Sequence, residues 1–349
     1  MFCFVDHFEP QWHRPDYQTE VRRVDRWITD YPKIADRHKD ADGVSPQHSF
    51  FYPEEEYREE HLTQLADLCG RGYGEIEVHL HHHNDTADNF RTTLQSFVDT
   101  LHEKHGAFTR DPQTGKLAWA FIHGNWSLCN SLPEGIACGV NEELPILREL
   151  GCYCDMTLPS APSPAQTRTI NSIYYAEDKP GKPKSHDTGV PVRVGGSPSG
   201  DLMIIQGPLA LNFRKRKHGI LPAVENGDVK QDNPPTRDRI DLWVKAGVHV
   251  AEKPDWIFVK IHTHGAQEGD METCLGSPSD DMYDYLETRY NDGKDYVLHY
   301  VTARELYNIV KAAEAGESGN PSDCRNYRIP RPTYNRLAET VSKETTGGL

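Results

Sequence analysis

The sequence predicts a one-domain α/β barrel of parallel strands. Two observations predict this fold class: short apolar runs alternate with longer amphipathic stretches, and His or Asp residues repeatedly follow the apolar runs. Such alternation is typical of parallel strands joined by crossover helices. A length of 349 residues suits a single α/β barrel. An open doubly wound sheet is the alternative for a similar number of strands.

The individual elements follow from the length and periodicity of each segment. The predicted strands are Phe2–Val5, Ser49–Tyr52, Ile76–Leu80, Ala118–Ile122, Tyr153–Met156, Leu202–Ile205, Trp256–Ile261 and Tyr296–Val301. The predicted helices include Tyr57–Leu68, Ala87–His105, Glu142–Leu150, Arg237–Val248, Asp280–Tyr290 and Thr302–Ala315. No glycine-rich nucleotide-binding motif follows any of these strands, which argues against a nucleotide-binding fold.

Composition separates the barrel from its flanking segments. We assign residues 1–316 to the barrel and residues 317–349 to a polar C-terminal tail, because the latter stretch is polar and contains three prolines. Residues 159–200 are rich in Pro, Ser, Gly and Thr and are predicted to form a long structured loop within the barrel domain.

Charge and hydropathy exclude several classes of protein. The formal net charge is -15, and this disfavours nucleic acid as a partner because phosphate binding needs a basic surface. Mean hydropathy is -0.71, and no apolar run approaches the roughly 18 residues that a membrane span needs. The N-terminal residues lack the basic region and cleavage site of a signal peptide, so we expect a cytoplasmic protein. The eight cysteines form no CxxC pair and are expected to be buried free thiols.

Residues capable of acid–base or metal chemistry cluster where the predicted strands end. In parallel α/β folds, the carboxyl ends of the strands carry the functional residues. Five of these ends contain an Asp or a His, in the stretches Asp6-His7, His79–Asp85, His123–Trp126, Asp155–Thr157 and His262–Gly265. This repeated placement predicts a functional site at one mouth of the fold.

The stretch after the third strand indicates metal binding. Four of the five residues from His79 to His83 are histidines, and burying them without partners would cost several kcal/mol. Imidazole is a good ligand for zinc, iron, cobalt or nickel. His79 and His83 have HxxxH spacing, so His83 could reach the same ion as His79 from the following loop or first helical turn. His262 and His264 share a strand face, and either could point into the site.

Two further residues have alternative roles. Trp126 follows Gly124-Asn125 in a loop at a strand end, where it could pack in the core or stack on a sugar. Asp155 could cap a turn, or it could orient a catalytic residue.

The order of these motifs resembles the polysaccharide deacetylases of the NodB-homology type. Phe4-Val5-Asp6-His7 stands where that family has Thr-Phe-Asp-Asp, and His79 and His83 match its HxxxH motif. His264 or His262 matches its late histidine. His123-Gly124-Asn125-Trp126 stands in place of its Arg-x-Pro motif. The resemblance covers about residues 1–310, and the chain is similar to a divergent bacterial branch associated with exopolysaccharide synthesis.

The resemblance implies a distorted (β/α)7-type barrel and a metal-dependent removal of acetyl groups from N-acetylated sugars of a polysaccharide. It implies a divalent metal, zinc first with cobalt, nickel or iron as alternatives, held by His79, His83 and His7, or by Asp6 in place of His7. Asp6 would act as the catalytic base, and His264 or His262 as the acid. The sugar-binding residues would be Asn125, Trp126 and Asp155. The expected partner is a carbohydrate polymer or oligosaccharide.

Two other functions are compatible with the sequence. A glycoside hydrolase on a similar barrel would need two carboxylates about 5–10 Å apart, and Asp6, Glu9 and Asp155 are candidates. A catalytically altered carbohydrate-binding or scaffolding subunit is the third hypothesis, because the first and third family motifs are changed.

Overall fold

A curled, mostly parallel β-sheet organises the chain, which a computed structural model describes over residues 1–217 and 220–337. The strands of this described part are β1 (Phe2–His7), β2 (His48–Pro53), β3 (Gly74–Leu80), β4 (Thr109–Arg110), β5 (Leu117–His123), β6 (Cys152–Asp155), β7 (Ile173–Ala176), β8 (Gly189–Pro191), β9 (Leu202–Ile205), β10 (Ala210–Lys217), β11 (Leu221–Glu225) and β12 (Val259–Thr263). The α-helices are α1 (Tyr17–Ala35), α2 (Glu59–Gly70), α3 (Ala87–His105), α4 (Glu143–Leu150), α5 (Arg237–Lys245), α6 (Glu268–Cys274), α7 (Ser277–Arg289) and α8 (Ala303–Ala315).

The main sheet has the strand order β12-β1-β2-β3-β5-β6-β9-β7-β8, and β4 pairs with β5 beside this path. The strands from β12 to β9 run parallel to their neighbours, whereas β7 and β8 add an antiparallel edge. Within the described residues no ladder joins β12 to β8, so the sheet forms a half-barrel. The predicted α/β class with parallel strands is confirmed, but a closed seven-stranded barrel is not.

Side chains alternate between the two faces of this sheet. On β1, Phe4 belongs to a hydrophobic cluster with residues of helices α1 to α7, whereas Val5 belongs to a second cluster with α8. We call the face that α8 covers the inner face and the opposite one the outer face. Because neighbouring residues of a strand lie on opposite faces, each strand end can place side chains on both.

Most of the predicted elements form near their predicted bounds. Helix α3 and strand β9 match the prediction residue for residue, and the strand predicted at Trp256–Ile261 is displaced to β12. The predicted strand Tyr296–Val301 is wrong, since this segment makes only an isolated bridge between Tyr300 and Phe2. The predicted loop 159–200 contains β7 and β8, which form the antiparallel edge.

Helix α1 was not among the predicted helices. Helix α1 begins at an N-cap in which the Asp16 carboxylate accepts a hydrogen bond from the Thr19 N–H at 2.8 Å. Residues 317–337 lie against the body of the protein, where Ile329 is 1% exposed and Tyr334 is 6% exposed. Residues 338–349, the rest of the predicted polar tail, lie outside the described residues. None of the described helices is both long and apolar enough to cross a bilayer.

A buried ion pair attaches α8 to the inner face. The Arg304 guanidinium donates to both carboxylate oxygens of Glu75 on β3, with a shortest distance of 2.7 Å, and these side chains are only 3% and 2% exposed. Arg304 also donates to the carbonyls of Arg325 and Ile329, so the same side chain holds the C-terminal segment. Removing one partner of such a pair leaves an uncompensated buried charge.

We therefore expect Arg304→Met to lower the free energy of unfolding by about 3–5 kcal/mol in urea denaturation. The matched control is Arg91→Met, which removes a solvent-exposed ion pair with Glu149 at 3.1 Å and should cost less than about 1 kcal/mol. Equal losses in the two variants would contradict the assignment of Arg304 as the anchor of α8.

Candidate metal and catalytic site

Histidines and one glutamate converge on the inner face where β1, β3 and β12 end. His7 is the last residue of β1 and is 1% exposed. The centre of its ring lies 4.8 Å from that of His79 on β3 and 4.5 Å from that of His264 just after β12. The sheet register accounts for this convergence, because β1 pairs with β12 directly and with β3 through β2.

Glu9 lies at the centre of this inner cluster, which we define as His7, Glu9, His79, His81 and His264. Its carboxylate is 1% exposed and faces His79 Nε2 at 3.4 Å, His81 Nε2 at 3.1 Å and His264 Nδ1 at 3.0 Å. Burial opposes ionisation of Glu9, but the hydrogen bonds from His264, His79 and His81 hold the pKa of this carboxyl well below its usual range. Glu9 is therefore a buried carboxylate that depends on imidazole partners.

The contacts of His79 are those of a metal ligand. Its Nδ1 lies 3.0 Å from the carbonyl oxygen of Ile122, which can only accept, so Nδ1 carries a proton. Burial lowers the pKa of His79, and its Nε2 is directed at the Glu9 carboxylate, 3.4 Å away. The carbonyl contact at Nδ1 is also the usual way in which proteins orient a metal-binding histidine.

His7 gives a second indication of the same kind. Its Nδ1 is buried and has no hydrogen-bond partner within the described part of the chain. Burial, together with the neighbouring rings of His264 and His79, lowers the pKa of His7 well below its usual value, so a ring nitrogen is free to act as a ligand. Ligand atoms of His7, Glu9 and His79 lie within 4.8 Å of one another. These three buried residues could hold a metal ion and leave a coordination position for water or substrate.

His81 and His264 are the charged imidazoles of the cluster. Burial lowers the pKa of His81, but hydrogen bonds to Glu55 and Glu9 outweigh it and raise the pKa to about 10. Burial also lowers the pKa of His264, and here the hydrogen bond to Glu9 outweighs it and raises the pKa. The side chain of His264 is 21% exposed, so it reaches solvent while Glu9 holds its inner nitrogen.

Two indole rings flank His264 at the exposed rim of the cluster. The ring centres of Trp12 and Trp126 lie 6.3 Å and 6.4 Å from that of His264. Trp12 is 37% exposed. Trp126 has a backbone φ of 55°, and its Nε1 is a buried donor without a partner among the described residues. The rim thus combines aromatic surfaces with an imidazole and an unused hydrogen-bond donor.

Asp6 lies beside the cluster but on the outer face. Its carboxylate contacts His48 Nε2 at 2.9 Å and accepts a hydrogen bond from the Gly265 N–H at 2.6 Å. The second contact fixes the backbone next to His264. The structure therefore gives Asp6 a positioning role, because the side chain predicted as catalytic base or alternative ligand faces helix α1 and not the inner cluster.

His83 differs from its predicted position as a metal ligand. It is exposed, and its Nδ1 accepts a hydrogen bond from the Ala137 N–H at 3.0 Å. The chain between β3 and α3 is not helical, because α3 begins only at Ala87 with Thr86 as its N-cap. The HxxxH spacing therefore does not bring His83 beside His79, and the structure places His81 there instead.

The other predicted site residues lie at varying distances from the cluster. His262 is on the inner face with its ring 6.3 Å from that of His7, and its Nε2 is 3.9 Å from Asp228 Oδ1. Asn125 donates to the carbonyls of His82 and Ala137 and so braces a loop.

Asp155 is fully buried in a turn, where its carboxylate accepts hydrogen bonds from the N–H and hydroxyl of Thr157. Its side chain therefore contacts the turn, and the structure does not bring it to the inner cluster or to Trp126.

Comparison with known proteins adds no assignment. No protein-family model matches the chain, and a search of curated proteins found no significant match. The functional argument therefore depends on the geometry of the site.

The first test compares the two histidines of the HxxxH motif. We expect His79→Ala to lower the metal content of the purified protein, measured by elemental analysis, by about one equivalent per chain, because a three-residue site loses a ligand. His83→Ala is the matched control from the same segment and should keep this equivalent. Retention of the metal in His79→Ala, or its loss in His83→Ala, would contradict the ligand set of His7, Glu9 and His79.

Proposed function

We propose that the protein is a metal-dependent hydrolase that removes acetyl groups from N-acetylated sugars of a polysaccharide. The observation that carries the proposal is the buried group of His7, Glu9 and His79, whose ligand atoms lie within 4.8 Å of one another and which includes a His7 Nδ1 without a partner among the described residues. Nitrogen and oxygen donors of this kind fit zinc, with cobalt, nickel or iron as alternatives. The site lies at the carboxyl ends of parallel strands, where α/β enzymes have their active sites.

Each part of the cluster has a distinct role in this proposal. His7, Glu9 and His79 would hold the cation, which when bound polarises an amide carbonyl and makes a water molecule more acidic. Glu9 and Asp6 orient the segment around His264 through its Nδ1 and through the Gly265 N–H, respectively. The site can therefore hold a carbonyl group and a proton donor at fixed positions.

His264 is suited to act as the general acid. Its Nδ1 is bound to Glu9, so its Nε2 lies on the opposite side of the ring, and the side chain is partly exposed. The carboxylate partner favours the protonated imidazole. A protonated Nε2 can donate its proton to the departing sugar amine, which would otherwise leave as an unstable anion.

The two indoles support a carbohydrate substrate. The apolar faces of a pyranose ring pack well on exposed aromatic rings, and Trp12 and Trp126 flank His264 on the solvent side.

A glycoside hydrolase has less support. It requires two carboxylates facing the substrate, whereas Glu9, Asp6 and Asp155 are each 1% exposed or less. Their oxygens are held by imidazole, backbone or Thr157 partners. A binding subunit without catalytic activity is the third candidate, and the following tests distinguish it.

The metal requirement is tested with N-acetylglucosamine oligosaccharides, using released acetate as the readout. We expect removal of metal with a chelator to abolish acetate release, and re-addition of zinc or cobalt to restore it. Acetate release that persists at full rate in metal-free protein would contradict the proposal. Binding of the oligosaccharide without acetate release in the metal-loaded protein would favour the binding subunit, and reducing-end release would favour the glycosidase.

The role of His264 is tested with His264→Gln. We expect kcat for acetate release to fall by about 10²–10⁴-fold, the usual contribution of a general acid. The protein should keep its metal content, because the proposed ligands are unchanged. His102→Gln on α3 is the control, since its Nδ1 bonds the backbone carbonyls of Ala107 and Phe108, and its kcat should be unchanged. An unaltered kcat in His264→Gln would remove this residue from the mechanism.

The aromatic rim is tested by comparing Trp12→Ala with Trp12→Phe. We expect the alanine variant to raise KM for the oligosaccharide about tenfold, equivalent to ~1.4 kcal/mol of lost contact. The phenylalanine variant should retain most of the affinity, because it keeps an aromatic surface. The same KM in all three proteins would exclude stacking on Trp12.

A further inference from the structure

A second group of metal-binding side chains lies on the outer face, outside the site just described. It comprises His82 after β3, His123 at the end of β5, Cys138 in the following loop and Glu143 at the start of α4. Their ligand atoms lie within 4.8 Å of one another. We define these four residues as the outer cluster.

One of the three distances within the outer cluster equals the spacing of ligands around one ion, and the other two are a few tenths of an ångström shorter. His82 Nε2 is 2.9 Å from both His123 Nε2 and Glu143 Oε1, and His123 Nε2 is 3.7 Å from the same Glu143 oxygen. Tetrahedral zinc with bonds of about 2.0–2.3 Å separates its ligand atoms by roughly 3.3–3.8 Å. A small outward movement of His82 therefore suffices to admit an ion.

One nitrogen of His82 is directed at both His123 and Glu143. His82 Nδ1 faces the Asp85 carboxylate at 2.9 Å and therefore carries a proton. Its Nε2 is the nitrogen that faces His123 and Glu143, and a metal ion there would replace the proton on that nitrogen.

His123 can present a nitrogen ligand from the same side. The Asn125 N–H donates to His123 Nδ1 at 3.2 Å. Moving the ring proton to Nδ1 costs this one long hydrogen bond and frees the Nε2 lone pair, which faces His82 Nε2 at 2.9 Å.

The outer cluster is buried. His123, Cys138 and Glu143 are each 0% exposed. The other Glu143 oxygen accepts a hydrogen bond from the Cys129 N–H, which leaves its first oxygen directed at the two imidazoles. A divalent ion bound here would take the place of the His82 Nε2 proton as the countercharge of this buried carboxylate.

We propose that His82, His123, Cys138 and Glu143 form a second, structural metal centre that takes zinc. Two imidazoles, a thiolate and a carboxylate together suit zinc, and four protein ligands make a closed site of the structural kind. Binding would release the Cys138 thiol proton to solvent and form the zinc–sulfur bond without any redox change. This inference does not depend on the proposed hydrolase activity.

An ion in the outer cluster would stabilise the chain between β5 and α4. Between β5 and α4 the chain has positive φ values at Trp126, Cys129, Asn130, Glu134 and Ala137, none of which is glycine. Conformations of this kind are costly and persist only when surrounding contacts impose them. An ion bound to Cys138 and Glu143 on one side, and to His82 and His123 on the other, would fix this loop to the sheet.

The test detects the Cys138 thiolate. Because the inner cluster contains no sulfur ligand, a metal–sulfur signal reports the outer cluster alone. We expect the full-length protein to bind about two equivalents of zinc, with a sulfur neighbour in its zinc X-ray absorption spectrum. After replacement of zinc by cobalt, the spectrum should show a thiolate-to-cobalt charge-transfer band in the near ultraviolet. Cys138→Ser should lose this band and one metal equivalent. The control, Cys152→Ser, removes a buried thiol that bonds only the Cys154 carbonyl and should keep both.

Different results would contradict the inner and the outer metal sites. His79→Ala should lose one equivalent of metal but keep the charge-transfer band, because the ligands of the inner site are nitrogen and oxygen atoms only. A band that persists in Cys138→Ser would overturn the outer centre. If Cys138→Ser does not fold, the zinc X-ray absorption spectrum of the wild-type protein is the test. A spectrum without a sulfur neighbour would contradict the outer centre.

Discussion

The inner cluster depends on a single buried negative charge, that of Glu9. A carboxylate in this position is stable only if it is paired, and its three imidazole contacts provide that pairing. The surrounding backbone leaves little freedom for these rings. A Cβ at Gly124 would lie 2.4 Å from the His81 ring, and a Cβ at Gly265 would lie 2.2 Å from Asp6 Oδ2. Side chains at these two glycines would displace the rings or the segment that carries His264, so the charge, the imidazoles and the close backbone approach form one interdependent unit.

Strand alternation decided which site residues could be predicted from the sequence. The apolar runs located the strand ends, so His7, His79 and His264 were predicted in the right region, and the structure brings them together. Helical spacing suggested His83, but the chain after Leu80 keeps the alternation of a strand, and His81 lies beside His79 instead. The same alternation turns Asp6 to the outer face while His7 faces inward. Cys138 could not be assigned at all, because a loop of irregular backbone brings it to His82 and no sequence spacing encodes that path.

The fold was predictable where burial follows a simple pattern. Continuous apolar runs identified β1, β2, β3, β5, β6 and β9, since parallel strands are covered on both sides. The unusual position of α8 was not predictable, because the helix is buried on almost every side although it contains Arg304, Lys311 and Glu314. These charges are tolerated only because they have buried partners, such as Glu75 for Arg304 and Tyr175 for Lys311 and Glu314. Sequence alone reports such residues as exposed, so it gives no sign that this helix is buried against the inner face of the sheet.

The two clusters use opposite faces of the same sheet edge, and one loop connects them. Consecutive residues after β3 alternate, so His79 and His81 contact Glu9 on the inner face, whereas His82 contacts Glu143 on the outer face. The loop after β5 begins with His123 in the outer cluster and continues to Trp126, whose ring approaches His264. Between them, Asn125 bonds the carbonyls of His82 and Ala137. The outer cluster includes His123 and Cys138, which lie at the two ends of the segment that contains Trp126. The geometry of the outer cluster therefore sets the position of the Trp126 indole at the rim. An ion bound there would act on substrate binding without touching the substrate, by holding the loop that carries Trp126.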